Sequence, residues 1–319
     1  MKKVNILIVF VLAMVSSLAV LLSGCSGAKI PHDVKWNPNM DEWKVTFEDN
    51  FDGNEIDYTK WKVNTMGESH IRRAAYYTDS SENLFVKDGN LVIRTNYKEN
   101  GEFGEGWYTS WLETSVKNDT VPSKDENYKG LSQKQGYFEI RCQTPPSEGI
   151  WSAFWMMPDE GVAFTDKDEQ WSGKDGVEID IMESPYYYQN KSNVTHVIHG
   201  DGYDERLKSS KSKTYNVPNM YSEMHTYALE WTEDTYRFYI DGWLTWETNY
   251  VYDGKVMGVS DVCEYMILSV EVGGHSKDGV LYPGVEANGD KSWAGNPNKN
   301  DKAKNYDFII DYVKVMQRV

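Results

Sequence analysis

The sequence predicts an all-β protein, an antiparallel sandwich, on three observations. Short apolar and β-branched runs recur at close spacing, Asx-Gly pairs punctuate them, and no long amphipathic helical period interrupts them. The predicted strands are Trp43–Phe47, Leu84–Val86, Leu91–Thr95, Gly136–Cys142, Ser152–Met156, Val177–Met182, Val194–His199, His225–Trp231, Tyr236–Ile240, Tyr265–Val270 and Phe308–Met316. Asp52-Gly53, Asp88-Gly89-Asn90, Asp241-Gly242 and Asp253-Gly254 supply turns, because glycine takes the positive φ that tight hairpins need. The stretch from Lys277 to Lys304 is rich in Gly, Asn, Lys and Asp and reads as a long surface loop before the last strand. No internal repeat and no second domain interrupt the pattern.

The N-terminus is an address rather than a part of the fold. Lys2 and Lys3 precede an almost wholly apolar run, Val4 to Leu22, which ends in Leu22-Ser23-Gly24-Cys25. Residues 1–24 read as a signal peptide. The Leu-x-Gly-Cys ending resembles a bacterial lipobox, with Cys25 as the lipidated first residue; an ordinary signal peptide that contains Cys25 is the alternative. Residues 25–40, polar and broken by Pro31 and Pro38, read as a tether to a domain over 41–319. The expected location is the bacterial cell surface or the outer face of a membrane, with the membrane touched only through the lipid. Of the remaining cysteines, Cys142 and Cys263 read as free thiols in a core, and no CxxC or His/Cys cluster indicates zinc.

Charge narrows the partners. The 319-residue chain carries a formal charge of -16, and loss of Lys2 and Lys3 makes it -18. A field of that sign repels nucleic acid and other polyanions and leaves neutral polymers as the better fit. Twelve Trp and 22 Tyr are many for one domain; some belong to the core, and flat aromatic faces also stack on sugar rings.

One stretch carries chemistry: Glu178-Ile179-Asp180-Ile181-Met182-Glu183. In a regular strand Glu178 and Asp180 share a face and Glu183 points away. A β-bulge that absorbs one residue, most simply Met182, returns Glu183 to the shared face. Two glutamates flanking a bond, with an acid between them, are the equipment of a glycoside hydrolase. Three clustered acids cannot all ionise freely, so one must hold its proton at neutral pH. A solvated strand with protective charges is the blander alternative.

With these residues and five further motifs in order, the chain resembles glycoside hydrolase family 16. The further motifs are Phe47-Glu48-Asp49-Asn50-Phe51-Asp52-Gly53, Glu82-Asn83-Leu84 with Asp88-Gly89-Asn90-Leu91, Gly136-Tyr137-Phe138-Glu139-Ile140-Arg141, Gly149-Ile150-Trp151-Ser152-Ala153-Phe154-Trp155-Met156, and Phe308-Ile309-Ile310-Asp311-Tyr312-Val313. The resemblance implies a β-jelly roll of two curved antiparallel sheets with a substrate groove on the concave face. It implies Glu178 as nucleophile, Glu183 as general acid/base and Asp180 as the helper between them. It places Asn83, Trp151, Trp155 and His199 at the sugar; Trp171, from its own position in a polar loop before the acid strand, reads as a further aromatic wall. Several members hold a structural calcium, for which Glu48, the Gly89 carbonyl and Asp311 are the matching positions; the chemistry itself needs no cofactor.

Departures from the family text touch the substrate rather than the reaction. Laminarinases carry Asn-x-Ala-Val-Gly-Gly near the end, where this chain reads Leu268-Ser269-Val270-Glu271-Val272-Gly273-Gly274, with an added acid. The Pro185-Tyr186-Tyr187-Tyr188 insertion and the run Val197 to Tyr203 also differ. The expectation is a monomeric, endo-acting, retaining hydrolase of a neutral β-1,3- or mixed β-1,3/1,4-glucan. A β-galactan or host glycan is the alternative substrate, and a non-catalytic sugar-binding jelly roll or a transglycosylase the alternative activity.

Overall fold

The computed structural model describes residues 27–159, 173–185, 192–200, 209–252, 255–256 and 258–319. Two sheets stack face to face as the β-jelly-roll sandwich that the strand pattern predicts. The eight-stranded sheet runs Ala28–Lys29, Ser209–Asn216, Asn193–Gly200, Glu178–Ser184, Ile150–Pro158, Glu264–Val272, Trp111–Glu113, Lys62–Val63. The second sheet has as its main path Trp243–Thr248, Tyr236–Ile240, His225–Trp231, Gly136–Gln143, Tyr306–Arg318, Asn90–Gly101, Gly104–Thr109, Ala75–Tyr77, Ile71–Arg72. Two more strands flank that path: Trp43–Asp49 pairs with Tyr306–Arg318, and Leu84–Lys87 with Asn90–Gly101. Each predicted strand is present, most of them longer than the apolar run that revealed them. Strands such as Gly104–Thr109 and Ser209–Asn216 escaped prediction because glycine or polar residues fill them.

Alternation divides each strand between core and surface. Phe154 and Met156 enter the space between the sheets, fully buried, while Ala153 and Trp155 face the other way and line a cleft. Trp61, Trp107, Trp231, Phe138 and Phe238 are completely buried in the interior. Each such side chain contributes roughly 1.5–3 kcal/mol by leaving water. Cys142 is buried and Cys263 half-buried, both as free thiols.

Two sequence expectations change here. The segment read as a tether is, from residue 27 onward, part of the fold. Ala28–Lys29 adds a parallel edge strand against Tyr215 and Asn216, and Trp36 stacks on Tyr137 at 3.7 Å while its amide donates to the Gly242 carbonyl. An apolar ring gains more from that contact than a solvated linker would. The stretch Lys277–Lys304 is not a simple surface loop either. It begins with the hairpin of Gly274–Lys277 and Val280–Pro283 and then folds back, burying Ser292, Ala294 and Pro297. Gly149 permits that return: its φ is +74°, and a Cβ there would collide with Pro297.

Candidate active site

The acid strand Glu178–Ser184 lies in the middle of the eight-stranded sheet, between Ile150–Pro158 and Asn193–Gly200. Its register carries the bulge. Trp155 opposes Asp180 and Phe154 opposes Met182, so Ile181 is the residue left without a partner on that side. On the other side Asp180 opposes Val197 and Glu183 opposes Thr195, so Ile181 and Met182 together face His196. The extra residue is thus Ile181 rather than Met182. Its carbonyl is taken by buried His196, whose Nδ1 lies 2.6 Å away. Burial lowers the His196 pKa to about 4, outweighing the bond to Ile181, so the ring is neutral and Nδ1–H donates. With the bulge in place, Glu178, Asp180 and Glu183 all line one cleft together with Trp151, Ala153, Trp155 and Ser269.

The three carboxyls are nearly withdrawn from water, at 8%, 3% and 8% exposure. Burial, then the charges of Glu178 and Glu271, push the Glu183 pKa up to about 8; Arg73 and Trp151 pull weakly the other way. Burial, then Glu183, Glu178 and Glu271, hold the Asp180 pKa well above the usual carboxylate range. Glu183 therefore keeps its proton at neutral pH, and Asp180 is shifted in the same direction. His199 opposes Glu178 in register and places Nε2 at 3.5 Å from an Asp180 oxygen. Donor atoms of Glu178, Asp180 and His199 lie within 4.8 Å of one another. That spacing suits a cation as well as a shared proton.

The aromatic expectations divide. Trp155 lines the cleft, but its Nε1 donates to Ser269 at 3.0 Å and its ring meets Trp111 edge-on at 5.0 Å, so it is as much wall as floor. Trp151 carries the Arg73 guanidinium over its ring at 4.7 Å, and Trp293 stands edge-on to it at 4.3 Å. Asn83 does not reach the cleft. It is completely buried, and its amide donates to the Arg94 carbonyl at 2.9 Å and to Asn96 at 3.0 Å, tying Leu84–Lys87 to its neighbours. A turn asparagine near a strand entrance does this structural work as readily as it binds sugar. Trp171, Tyr186 to Tyr188 and Cys25 lie outside the described residues.

Sequence reasoning missed the polar end of the cleft. Glu271, flagged only as an odd acid, is 4% exposed and receives Arg72 Nε at 2.5 Å on one oxygen and Arg73 Nε on the other. Arg72 and Arg73 stood in no recognised motif, and Trp293 lay in a stretch read as loop. The excess acid at position 271 was the only signal in the sequence that pointed to a cationic partner.

Of the calcium donors, Glu48 pairs with Lys314 at 3.2 Å and Asp311 with Arg141. Strand Tyr306–Arg318 pairs with Leu91 through Ile310 and with Asp49 through Val313. In the pairing with Gly136–Gln143, Asp311 is the bulged residue, between Tyr312 opposite Arg141 and Ile310 opposite Cys142.

Comparison with known proteins agrees with the site. The model of glycosyl hydrolases family 16 matches residues 98–256. A β-glucanase from Rhodothermus marinus is 26% identical over 317 residues, covering 94% of this chain and 92% of that protein. Among solved structures, the laminarinase from Rhodothermus marinus is 26% identical with a TM-score of 0.63, over 87% of this chain and 98% of that one. A non-specific endo-β-1,3(4)-glucanase from the same family superposes with a TM-score of 0.66 at 22% identity, over 92% of this chain and 98% of its own. With six motifs in order, an acid strand bulged to present three carboxyls and relatives that match along nearly the whole fold, the chain belongs to glycosyl hydrolases family 16.

Proposed function

We propose that the protein is an endo-acting, retaining hydrolase of a neutral β-1,3- or mixed β-1,3/1,4-glucan. One observation carries the reading: three acids share a cleft on one strand, and burial beside Glu178 and Glu271 pushes the Glu183 pKa up to about 8, which suits a proton donor. Glu178 attacks the anomeric carbon as the glycosidic C–O bond breaks, while Glu183 passes its proton to the departing oxygen. The glycosyl ester on Glu178 then yields to water, which gives its proton back to Glu183 as the new C–O bond forms. Asp180, beside Glu178 on the same strand, is given the helper role of holding its carboxylate in line; no metal enters these steps.

The named substrates of the relatives, the cleft's wall of tryptophans and the charge of the chain support a neutral glucan. Incubation with laminarin, barley β-glucan and a neutral β-galactan tests it. Short oligomers from the glucans are expected; release from the galactan alone transfers the proposal to that substrate. Proton NMR of the first product reads the stereochemistry: a β-anomer is expected, and an initial α-anomer excludes the two-step route.

The proposal includes a structural calcium on Glu48, the Gly89 carbonyl and Asp311, taking the place of the Lys314 and Arg141 contacts. Carboxylate and carbonyl oxygens are the donor type that ion prefers. A rise in Tm on adding calcium to chelator-treated protein supports it, and an unchanged Tm removes it. Export and attachment through a lipid on Cys25 complete the proposal.

A further inference from the structure

The Arg72–Arg73 hairpin is built against local preference. Ile71–Arg72 and Ala75–Tyr77 pair with Arg72 opposite Ala75, so only Arg73 and Ala74 form the turn. Arg73 sits in the left-handed region, with φ of 49°. A two-residue turn favours Gly, Asn or Asp there, and a long side chain costs on the order of 1 kcal/mol. Such a conflict persists where the surrounding structure holds it and the side chain is used. Here it defeats the alternation of a strand: two successive arginines reach the same carboxylate, Glu271. Arg72 lies over the Trp111 ring at 4.7 Å, and Arg73 over the Trp151 ring at 4.7 Å. The pair is thus fixed by one ion pair each and one aromatic platform each, at the edge of the cleft that holds the three acids.

We propose that Arg72 and Arg73, locked by Glu271, form a subsite that reads the hydroxyl groups of a neutral hexose beside the bond being cleaved. The inference rests on the glycan-hydrolase reading and adds the specificity determinant. Each arginine spends Nε on Glu271, and the forked Nη groups of a guanidinium are donors only, matched by pairs of acceptor oxygens. Adjacent ring hydroxyls offer such pairs. Charge favours a neutral ring over an anionic one. Glu271 balances one arginine, and Glu178, ionised as nucleophile, faces the other; its charge is among those that stabilise the Arg72 cation. A sulfate or carboxylate on the sugar would be placed beside Glu178. The arginine platform also replaces a bare indole at Trp151, so this part of the wall selects by hydrogen bonds rather than by stacking alone. Glu271 stands at the alanine position of the laminarinase stretch, so the clamp belongs to this chain's departure from that text.

Binding and turnover test it separately. Neutral gluco- and galacto-oligosaccharides are titrated by calorimetry into Glu178→Gln, with and without Arg73→Met. On the oligosaccharide that Glu178→Gln binds, the added Arg73→Met is expected to weaken affinity roughly ten- to hundredfold, the scale of a lost charged hydrogen bond. In the active enzyme the same change raises KM more than it lowers kcat, and Arg73→Lys recovers part of the loss. Glu271→Gln, acting through the arginines, shows the same KM-weighted split. Unchanged affinity in folded Arg73→Met, or in folded Arg73→Ala where the methionine variant fails to fold, overturns the proposal. So does preferential binding of a sulfated oligosaccharide that depends on Arg73, which makes the clamp an anion site. An enzyme that binds neutral oligosaccharides through Arg73 but cleaves none of the corresponding polymers keeps the subsite and removes the hydrolase reading.

Discussion

His196 holds the Ile181 carbonyl at 2.6 Å and stands 3.1 Å from the Thr245 hydroxyl of the opposite sheet. The bulge that aligns the three acids is therefore pinned through the core, not only by its neighbours in the sheet. A bulged carbonyl without a partner in this dry interior would cost free energy of the order of a lost hydrogen bond, about 1–3 kcal/mol.

His196→Phe is expected to keep the ring volume and lose the pin. Stability should fall by roughly 1–3 kcal/mol, and kcat by more than the change in KM, because Glu183 loses its place relative to Glu178. His196→Asn, whose side-chain amide still donates, should restore part of kcat. Urea unfolding and steady-state kinetics check both; equal kcat in wild type and His196→Phe would show that the bulge stands without the histidine.

Glu178→Gln should abolish turnover while leaving oligosaccharide binding nearly intact. Glu183→Gln should spare substrates with good leaving groups and slow those with poor ones, since only the latter need the proton. Rates on a series of aryl glycosides of graded leaving-group acidity separate the two roles. A uniform loss across the series would take the acid role away from Glu183.

The proton on Glu183 sets a pH limit. Its pKa rises from 4.5 to about 8 in the folded chain. kcat/KM should therefore decline as pH passes about 8, where the acid form is lost. Stability follows the same group. Between 4.5 and about 8 the folded state binds a proton that the unfolded chain has released, so this contribution shrinks as pH rises through that window. Asp180, raised in the same direction, adds to it. Glu183→Gln removes the Glu183 share, so its Tm should fall less than that of wild type on going from about pH 6 to about pH 9. Parallel Tm curves over that range would contradict the raised proton affinity.

Cys25→Ser should release the protein from membranes into the soluble or secreted fraction, as the run ending in Leu22-Ser23-Gly24-Cys25 leads one to expect. Fractionation followed by immunoblotting decides it, and unchanged partition would point to another attachment.

The order of residues along the chain is enough to reveal the sandwich, most of its strands and the three acids. These depend on local matters: the period-2 pattern, turn chemistry, and six motifs whose residues are neighbours along the chain. It also located the bulge to within one residue, because any bulge between Asp180 and Glu183 brings the three acids to one face. That Ile181 is the residue displaced emerges only on folding, since the choice belongs to His196 and Phe154 on two flanking strands. The polar end of the cleft lies wholly on that side of the division. Arg72 and Arg73 stand nearly 200 positions from Glu271, and Trp293 reaches Trp151 through a segment whose composition signals a loop. Asn83 shows the converse, a residue whose motif suggested sugar but whose amide the fold consumes. Pattern along a chain reports which face a side chain takes; which other side chain it meets across the sandwich is fixed only when the sheets close on each other.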